Sequence, residues 1–368
     1  MLFRSGSVQV DGATVALSEV LTAVLAGRRY VAADANTWVR LSDELRAHVG
    51  AVAAAGGAQM PVLAAPLIES LREAGSRVDD DVATRTLLER ARTSRDAEIT
   101  VPEALNAELR PYQVKGFRWL ARLSTWAPGA CLADDMGLGK TVQAIALLLH
   151  RPGPALVVAP TSVGFNWLRE LARFAPSLRA RALRGAGRLD QLEDLGPPDV
   201  LVTSWDLLAR DIDTLEKITF GTIVLDEAQA MKNPTTARAR AAVRLDGAFR
   251  LALTGTPVEN RVSELWSLFR VVAPGLLGSW DRFRERFLGP IERDGDHARR
   301  DALARLIRPF VLRRLKAMVA AELPPRTDVN VEVELSEEER RLYEATRIAA
   351  VASLQGAPDQ RQIGRAHV

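Results

Sequence analysis

The chain has 368 residues, of which 47% are hydrophobic and 26% charged, so it carries enough apolar side chains for a sizeable core. This composition excludes a wholly disordered chain, and the length allows about two ordinary domains. The net charge of +3 is too small to identify a nucleic-acid partner by itself.

The first hundred residues carry no motif with recognisable chemistry. Short strand-like pieces, such as Ser7–Val10 and Arg29–Val31, alternate with helical stretches rich in alanine and leucine. This pattern predicts a small mixed α/β domain over residues 1–100.

After Pro102 the pattern changes to short apolar runs separated by helical segments, beginning with a helix over Pro111–Leu123. Such alternation is typical of a parallel sheet in an α/β protein. Ligands of these sheets bind at the carboxyl ends of the strands. The predicted strands are Ala130–Ala133, Ala155–Ala159, Val200–Thr203, Thr222–Leu225 and Arg250–Leu253.

The segment from Ser279 to Lys316 is predicted to be helical and basic. Residues 281–316 contain eleven Arg and Lys against six Asp and Glu, a net charge of +5. A charged run is usually a solvated face, but this one is interleaved with Phe283, Phe287, Phe310 and Leu312 and directly follows the predicted sheet domain, which favours nucleic-acid binding. A strand at Val329–Leu335 and a helix beginning at the Ser336 capping box are predicted to follow.

The remaining composition excludes several classes of protein. The single cysteine, Cys131, rules out an intrachain disulfide and is typical of a core residue in a reducing cytosol. No apolar run is long enough to span a membrane, and the N-terminus lacks a signal-peptide pattern. Four scattered histidines argue against a structural zinc site. We therefore expect a cytoplasmic protein without membrane contact.

A glycine-rich turn stands between a predicted strand and a predicted helix at Leu132–Thr141. Gly137 and Gly139 allow backbone N–H groups to approach phosphates, Lys140 reaches the β- and γ-phosphates, and Thr141 is a Mg²⁺ ligand. Only five of the 49 basic residues are lysines, so the lysine here favours a phosphate loop. The match is incomplete, because a full phosphate-loop motif has glycine in place of Asp134.

Two carboxylates end the predicted strand Thr222–Leu225. Asp226 is predicted to hold Mg²⁺, directly or through water, and Glu227 to orient the attacking water. The alternative is a solvated acidic pair that caps the next helix. A third segment, Leu251–Asn260, contains Thr-Gly-Thr-Pro, which by itself is also good turn chemistry.

Together these residues resemble the Swi/Snf family of DNA-dependent ATPases within the superfamily-two helicases, over about two thirds of the chain. Residues Val8–Arg46 more weakly resemble a bacterial domain found upstream of such motors. The matching stretches are Leu109–Gln113 with Gly116, Trp119 and Leu120; Ala133–Thr141; Val157–Val163 with Asn166 and Trp167; Val202–Trp205; Asp226–Gln229 with Lys232–Pro234; Leu253–Pro257 with Glu259, Asn260 and Glu264–Trp266; and Arg308–Arg314.

The resemblance implies a RecA-like phosphate-loop domain that hydrolyses ATP with Mg²⁺ and grips duplex DNA mainly by its backbone, and the family tolerates aspartate at position 134. It implies ATP contacts by Arg110, Gln113 (to the adenine), Asp134, Asp135, Met136, Gly137, Leu138, Gly139, Lys140 and Thr141; Mg²⁺ contacts by Thr141 and Asp226; a DEAQ box of Asp226, Glu227, Ala228 and Gln229; coupling of nucleotide state to DNA grip by Thr254, Gly255 and Thr256; and DNA contacts by Thr161, Ser162, Ser204 and the basic segment.

The implied division is an accessory domain at 1–100, an ATP-binding lobe at 101–278, a helical insertion at 279–328 and the start of a linker at 329–368. The family's second lobe, which supplies arginines to the site, has no matching motifs here, so we expect ATP binding with poor hydrolysis. The alternative is a nucleotide-gated DNA-binding module without turnover.

A P-loop kinase of small molecules is disfavoured, because it leaves the Gln113 motif and the DEAQ box unexplained. The residues Ile363–Val368 can be encoded by a sequence that resembles a sequencing adapter, which predicts a longer natural chain; a short disordered tail is the alternative.

Overall fold

The structure is a computed structural model that describes residues 6–10, 13–55, 61–67, 69, 76–78, 82–192, 194–255, 262–319 and 335–355. The chain divides into two units, residues 1–321 and 322–368. Residues 329–334 of the predicted strand Val329–Leu335, the motif residues Thr256–Asn260 and the C-terminal hexapeptide lie outside the described residues.

The N-terminal part of the first unit is a mixed α/β region, as its pattern predicts. An antiparallel sheet has the order β2-β1-β5, and β3 pairs with β4 in a separate hairpin. Its elements are β1 Gly6–Val10, β2 Ala13–Ala16, α1 Leu17–Leu25, β3 Tyr30–Ala32, β4 Trp38–Arg40, α2 Asp43–Ala55, β5 Ser76–Val78 and α3 Val82–Asp96.

A seven-stranded parallel sheet of order β14-β6-β13-β11-β7-β9-β8 forms the centre of the first unit. Its middle strands are buried on both faces, which explains their unbroken apolar runs. The strands from β6 onward are β6 Gly129–Leu132, β7 Ala155–Ala159, β8 Arg179–Ala182, β9 Asp199–Ser204, β10 Thr219–Phe220, β11 Thr222–Leu225, β12 Asp246–Gly247, β13 Arg250–Leu253 and β14 Val311–Leu312. The α/β fold with a parallel central sheet is confirmed.

Helices join these strands and cover the sheet. Cys131 on β6 is fully buried, and burial raises the pKa of its thiol to about 12, so it is a core residue as predicted. The connecting helices are α4 Pro111–Leu123, α5 Lys140–His150, α6 Thr161–Phe174, α7 Trp205–Leu215, α8 Ala237–Arg244 and α9 Val262–Val272.

The basic segment is helical as predicted except at β14, which follows the short 3₁₀ turn at Arg308–Phe310 and joins the parallel sheet beside β6. Its three phenylalanines are buried in the core, so their interleaving with arginine reflects packing, and DNA contact by the basic side chains of the segment stays a prediction. The helices here are α10 Trp280–Phe283, α11 Gly289–Asp294, α12 His297–Ile307 and α13 Lys316–Val319, with a π-helical turn at Arg284–Leu288.

The second unit contains the helix α14 Glu337–Gln355. Its predicted capping box is confirmed, since the Glu339 backbone N–H donates to Ser336 Oγ at 3.3 Å and the Ser336 N–H donates to Glu339 Oε2 at 3.0 Å. In the part of the chain that the structure describes, no helix is long and apolar enough to cross a membrane.

Candidate functional site

The predicted motifs converge at the carboxyl edge of the central sheet. The loop after β6, the acidic pair after β11 and Thr254 after β13 are neighbours, because these strands are adjacent in the order β6-β13-β11. The sheet order therefore brings three motifs together, although the glycine-rich loop and the acidic pair are more than eighty residues apart in the sequence.

The glycine-rich loop has the backbone that a phosphate cradle needs. Gly137 and Gly139 have φ of +82° and +72°, and Gly139 is the N-cap of α5, whose first turn has no side-chain cap. The Lys140 ammonium donates to the carbonyl oxygens of Asp134 at 2.7 Å and Asp135 at 3.3 Å. An ammonium and a helix N-terminus thus face the same small space, a combination that suits anions.

Asp226 is held in place by two tryptophans. Trp167 Nε1 donates to its Oδ2 at 2.8 Å, and Trp205 Nε1 donates to its main-chain oxygen at 3.0 Å. The Glu227 N–H donates to Oδ1 at 2.9 Å. Burial raises the pKa of Asp226, although the Trp167 hydrogen bond and Lys140 act in the opposite direction. A carboxylate buried in this way is stabilised by a cation.

A chain of side chains links the acidic pair to the end of β13. Gln229 Nε2 donates to Glu227 Oε2 at 2.6 Å, and Thr254 Oγ1 donates to Gln229 Oε1 at 3.1 Å. Glu227 adopts φ +48°, a left-handed conformation that is uncommon outside glycine and asparagine. Ala228 is buried. These two hydrogen bonds connect the predicted coupling residue Thr254 to Glu227 through Gln229.

Gln113 ties α4 to the glycine-rich loop. The Arg110 N–H donates to Gln113 Oε1 at 2.9 Å, and Gln113 Nε2 donates to the Leu138 carbonyl at 3.2 Å. Both ends of the amide are therefore engaged with protein atoms, and the Arg110 side chain is exposed. The adenine contact of these two residues stays a prediction.

Sequence reasoning missed the partner of Asp134. This carboxylate is fully buried, and Arg314 Nε donates to its Oδ1 at 2.9 Å while a second guanidinium nitrogen donates to Oδ2. Arg314 was expected within a DNA-facing basic segment, but its side chain is only 12% exposed and contacts the loop. The reason is β14, which returns the chain to β6 and which a two-residue strand pattern did not reveal.

The other loop residues surround this contact. The Asp135 N–H donates to the Arg314 carbonyl at 3.0 Å, and Asp135 Oδ2 accepts from the Lys316 N–H at 3.0 Å. Leu138 is buried, whereas Met136 is exposed beside Gly255. Thr141 is half-buried in the first turn of α5, next to Lys140.

The predicted DNA contacts lie on the other half of the same sheet edge. Thr161 and Ser162 are exposed at the start of α6, and Ser204 caps α7 by accepting from the Leu207 N–H at 3.3 Å. Thr161 and Ser204 line one small cavity with Arg184, which sequence reasoning missed. The Ser204 Oγ has a structural role as a helix cap, whereas Thr161 and Ser162 are exposed; contact of all three with DNA stays a prediction.

Known proteins of one family are similar to this chain. Residues 112–365 match the model of the SNF2-related domain. A putative ATP-dependent helicase/translocase, YwqA of Bacillus subtilis, is 42% identical over 76% of this chain and 32% of its own length. The chromatin-remodeling ATPase INO80 of Arabidopsis thaliana is 35% identical over 68% of the chain and 18% of its own length.

Among solved structures, the SWI2/SNF2 ATPase core of Sulfolobus solfataricus in complex with double-stranded DNA is similar, with 38% identity and a TM-score of 0.57. The likeness covers 71% of this chain and 57% of that one. The chain spans about a third or less of the length of these two curated relatives.

Proposed function

Because this chain belongs to the SNF2-related family, we propose that it is the nucleotide-binding part of a DNA-dependent ATPase that moves on or remodels duplex DNA. The observation that carries the proposal is the convergence of Lys140, Asp226 and Glu227 at one sheet edge. We also propose that the chain divides into an accessory domain at 1–100, an ATP-binding lobe at 101–278, a helical insertion at 279–328 and the start of a linker at 329–368.

The phosphates of ATP would be bound by the loop after β6. Gly137 and Gly139 let the backbone approach them, and Lys140 would exchange its two carbonyl contacts for phosphate oxygens. Gln113 would read the adenine, since it is tied to the same loop. The phosphates therefore lie in reach of both an ammonium and the N-terminus of α5.

A magnesium ion suits the buried Asp226 carboxylate, since Mg²⁺ prefers one or two carboxylates together with substrate phosphates and water. Asp226 and the Thr141 hydroxyl would hold it. When bound, Mg²⁺ neutralises charge that develops on the transferred phosphoryl group.

Hydrolysis would proceed by in-line attack of water on the γ-phosphate, and Glu227 would orient and polarise that water. The Gln229 hydrogen bond directs the Glu227 carboxylate, and Thr254 in turn directs Gln229. A change at Thr254 would therefore reach the catalytic carboxylate, which is how nucleotide state and DNA binding would be coupled. Gly255 and Thr256 follow Thr254 in the chain and are proposed to share this coupling role.

Duplex DNA is the proposed partner, bound mainly through its backbone. The similar Sulfolobus core is described in complex with double-stranded DNA. Thr161 and Ser162 carry exposed hydroxyls, groups that suit phosphate oxygens and carry no sequence information. Binding should accordingly weaken as the salt concentration rises.

The test compares the wild-type chain with Glu227→Gln in equilibrium binding of Mg-ATP and in ATPase assays with and without duplex DNA. We expect both proteins to bind Mg-ATP, the wild type to turn over slowly, and the variant to lose the remaining turnover. Binding with no turnover in the wild type would favour the nucleotide-gated DNA-binding module. Equal turnover in both proteins would contradict the role of Glu227, and no binding would contradict the nucleotide site.

A further inference from the structure

Asp134 occupies the position where a phosphate loop ordinarily has glycine, and its carboxylate is fully buried. A buried negative charge at the start of a phosphate-binding loop is unfavourable for two reasons: the carboxylate loses its hydration, and it repels the phosphates. The charge is therefore tolerable only with a dedicated partner.

Arg314 is that partner, and it reaches the loop from 180 residues away. Its guanidinium grips the Asp134 carboxylate with two nitrogens, a bidentate geometry that fixes orientation as well as charge. The same group donates to Gln143 Oε1 at 2.8 Å and to the Tyr112 carbonyl, and it lies 5.3 Å from the centre of the Tyr112 ring. One arginine thus joins the loop to α4 and α5.

The backbone beside Arg314 reinforces the contact. The Ala133 N–H donates to the Leu312 carbonyl at 2.7 Å, and the Asp135 N–H donates to the Arg314 carbonyl at 3.0 Å. These two bonds lie on either side of Asp134, so the start of the loop is held by both the side chain and the main chain of the β14 segment.

Gly116 on α4 makes room for the guanidinium. A Cβ atom at this position would lie 2.7 Å from an Arg314 nitrogen and would collide with Gln143 Oε1. The sequence pattern placed Gly116 in the motif that contains Gln113, and its packing against Arg314 supplies a physical reason for a glycine inside a helix.

We infer that Arg314 is a positioning residue for the phosphate loop: it neutralises Asp134 and holds the loop so that Lys140 and the loop amides face the phosphates. The inference rests on the proposed nucleotide site. Without Arg314, the Asp134 carboxylate competes with phosphate for Lys140, whose ammonium already contacts the Asp134 backbone. Phosphate affinity then falls although no phosphate-binding group has been removed.

The experiment uses the full chain and the variants Arg314→Gln, Asp134→Asn and the double variant, with the exposed neighbour Arg313→Gln as the matched control. For Arg314→Gln we expect the Kd of Mg-ATP to rise about tenfold or more, because a buried carboxylate is left unpaired. The double variant should recover most of the affinity lost in Arg314→Gln, since it lacks the unpaired carboxylate. Asp134→Asn should lose less affinity than Arg314→Gln, since the guanidinium that it leaves unpaired attracts phosphate instead of repelling it. Arg313→Gln should match wild type.

Hydrogen exchange without nucleotide provides a second measurement that does not depend on ATP binding. Amides of the loop over residues 133–140 should exchange about tenfold faster in Arg314→Gln and return toward wild type in the double variant. If the wild type fails to bind Mg-ATP, the proposed function is wrong, while the exchange data still decide the role of Arg314.

The inference is overturned if folded Arg314→Gln keeps wild-type affinity and wild-type loop exchange. It is also overturned if Asp134→Asn loses as much affinity as Arg314→Gln, because neutralisation would then not be the reason. Should Arg314→Gln fail to fold, the comparison of the double variant with Asp134→Asn decides: equal affinity supports the inference, and a tenfold loss in the double variant contradicts it.

Discussion

The two halves of the sheet's carboxyl edge treat their polar groups in opposite ways. On the half formed by β14, β6, β13 and β11, Asp134 and Asp226 are buried, and each carboxylate accepts from at least two donors. On the half formed by β7, β9 and β8, Thr161 and Ser162 are exposed. The first half is preorganised by the protein, whereas the second offers groups that a ligand would order.

Burial is the cause of this difference. A polar group removed from water must find protein partners, because an unpaired one costs about 1–3 kcal/mol or more. The partners fix its orientation, and a single substitution then disturbs several contacts. Exposed hydroxyls exchange their bonds with water freely, so we expect substitutions to have large effects on the nucleotide half and small effects on the other half.

The largest effect is expected for Lys140→Ala, which removes the only ammonium that contacts the loop carbonyls within the described residues. Mg-ATP affinity should fall about a hundredfold or more, equivalent to about 2.7 kcal/mol, and turnover should vanish. Calorimetric titration measures the affinity. Lys217→Ala, an exposed lysine after α7, is the control and should bind normally. A Lys140→Ala protein that binds like wild type would show that the two halves do not differ as described.

An intermediate effect is expected for Asp226→Asn, because burial raises the pKa of this carboxyl. Below the ordinary value of 3.8 the group is protonated in both folded and unfolded chains and contributes nothing. As the pH rises through the raised folded pKa, ionisation is unfavourable in the folded state and stability is lost. The variant should therefore melt about 2 °C higher than wild type at pH 7 without Mg²⁺, and equally near pH 3.

The same variant should lose the stabilisation that Mg-ATP gives the wild type, because the proposed metal ligand is gone. Thermal unfolding at several pH values, with and without Mg-ATP, measures both effects. Asp294→Asn, an exposed aspartate, is the control for a simple change of net charge. If Asp226→Asn melted lower than wild type at pH 7, its hydrogen bonds with Trp167 and the Glu227 N–H would outweigh the burial of its charge.

The smallest effect is expected for Thr161→Ala combined with Ser162→Ala. Loss of two exposed hydroxyls should weaken duplex DNA binding by about threefold to tenfold, while Mg-ATP affinity stays unchanged. Fluorescence anisotropy with labelled duplexes at two salt concentrations measures this. A loss of nucleotide affinity in this variant would mean that the two halves are not separable.

Much of the fold followed from local patterns. The strands β7, β11 and β13 and the helix α4 begin and end where their apolar runs predict. Lys140, Asp226 and Thr254 lie near one another because each follows a strand of one parallel sheet. These features are predictable because the apolar runs that form the strands and the polar turns that end them are both local signals.

The two-residue strand β14 escaped prediction, since so short a run has no periodicity and its partner β6 is distant in the chain. Trp167 and Trp205 appeared in the matching motifs without an assigned role, and their indole nitrogens proved to hold Asp226. The arginine-rich composition concealed Arg314, because nothing local distinguishes a buried arginine from its exposed neighbour Arg313.

The sequence alone determined the chemistry of the chain: the order of motifs, the glycines and lysine of the loop, and the carboxylates after β11. These depend on residue types and local spacing, which sequence contains directly. The tertiary structure alone decided which charges belong together, above all Asp134 and Arg314, 180 residues apart. The physical reason is that burial forces each charge to find a partner, and the sheet topology decides which partner is within reach.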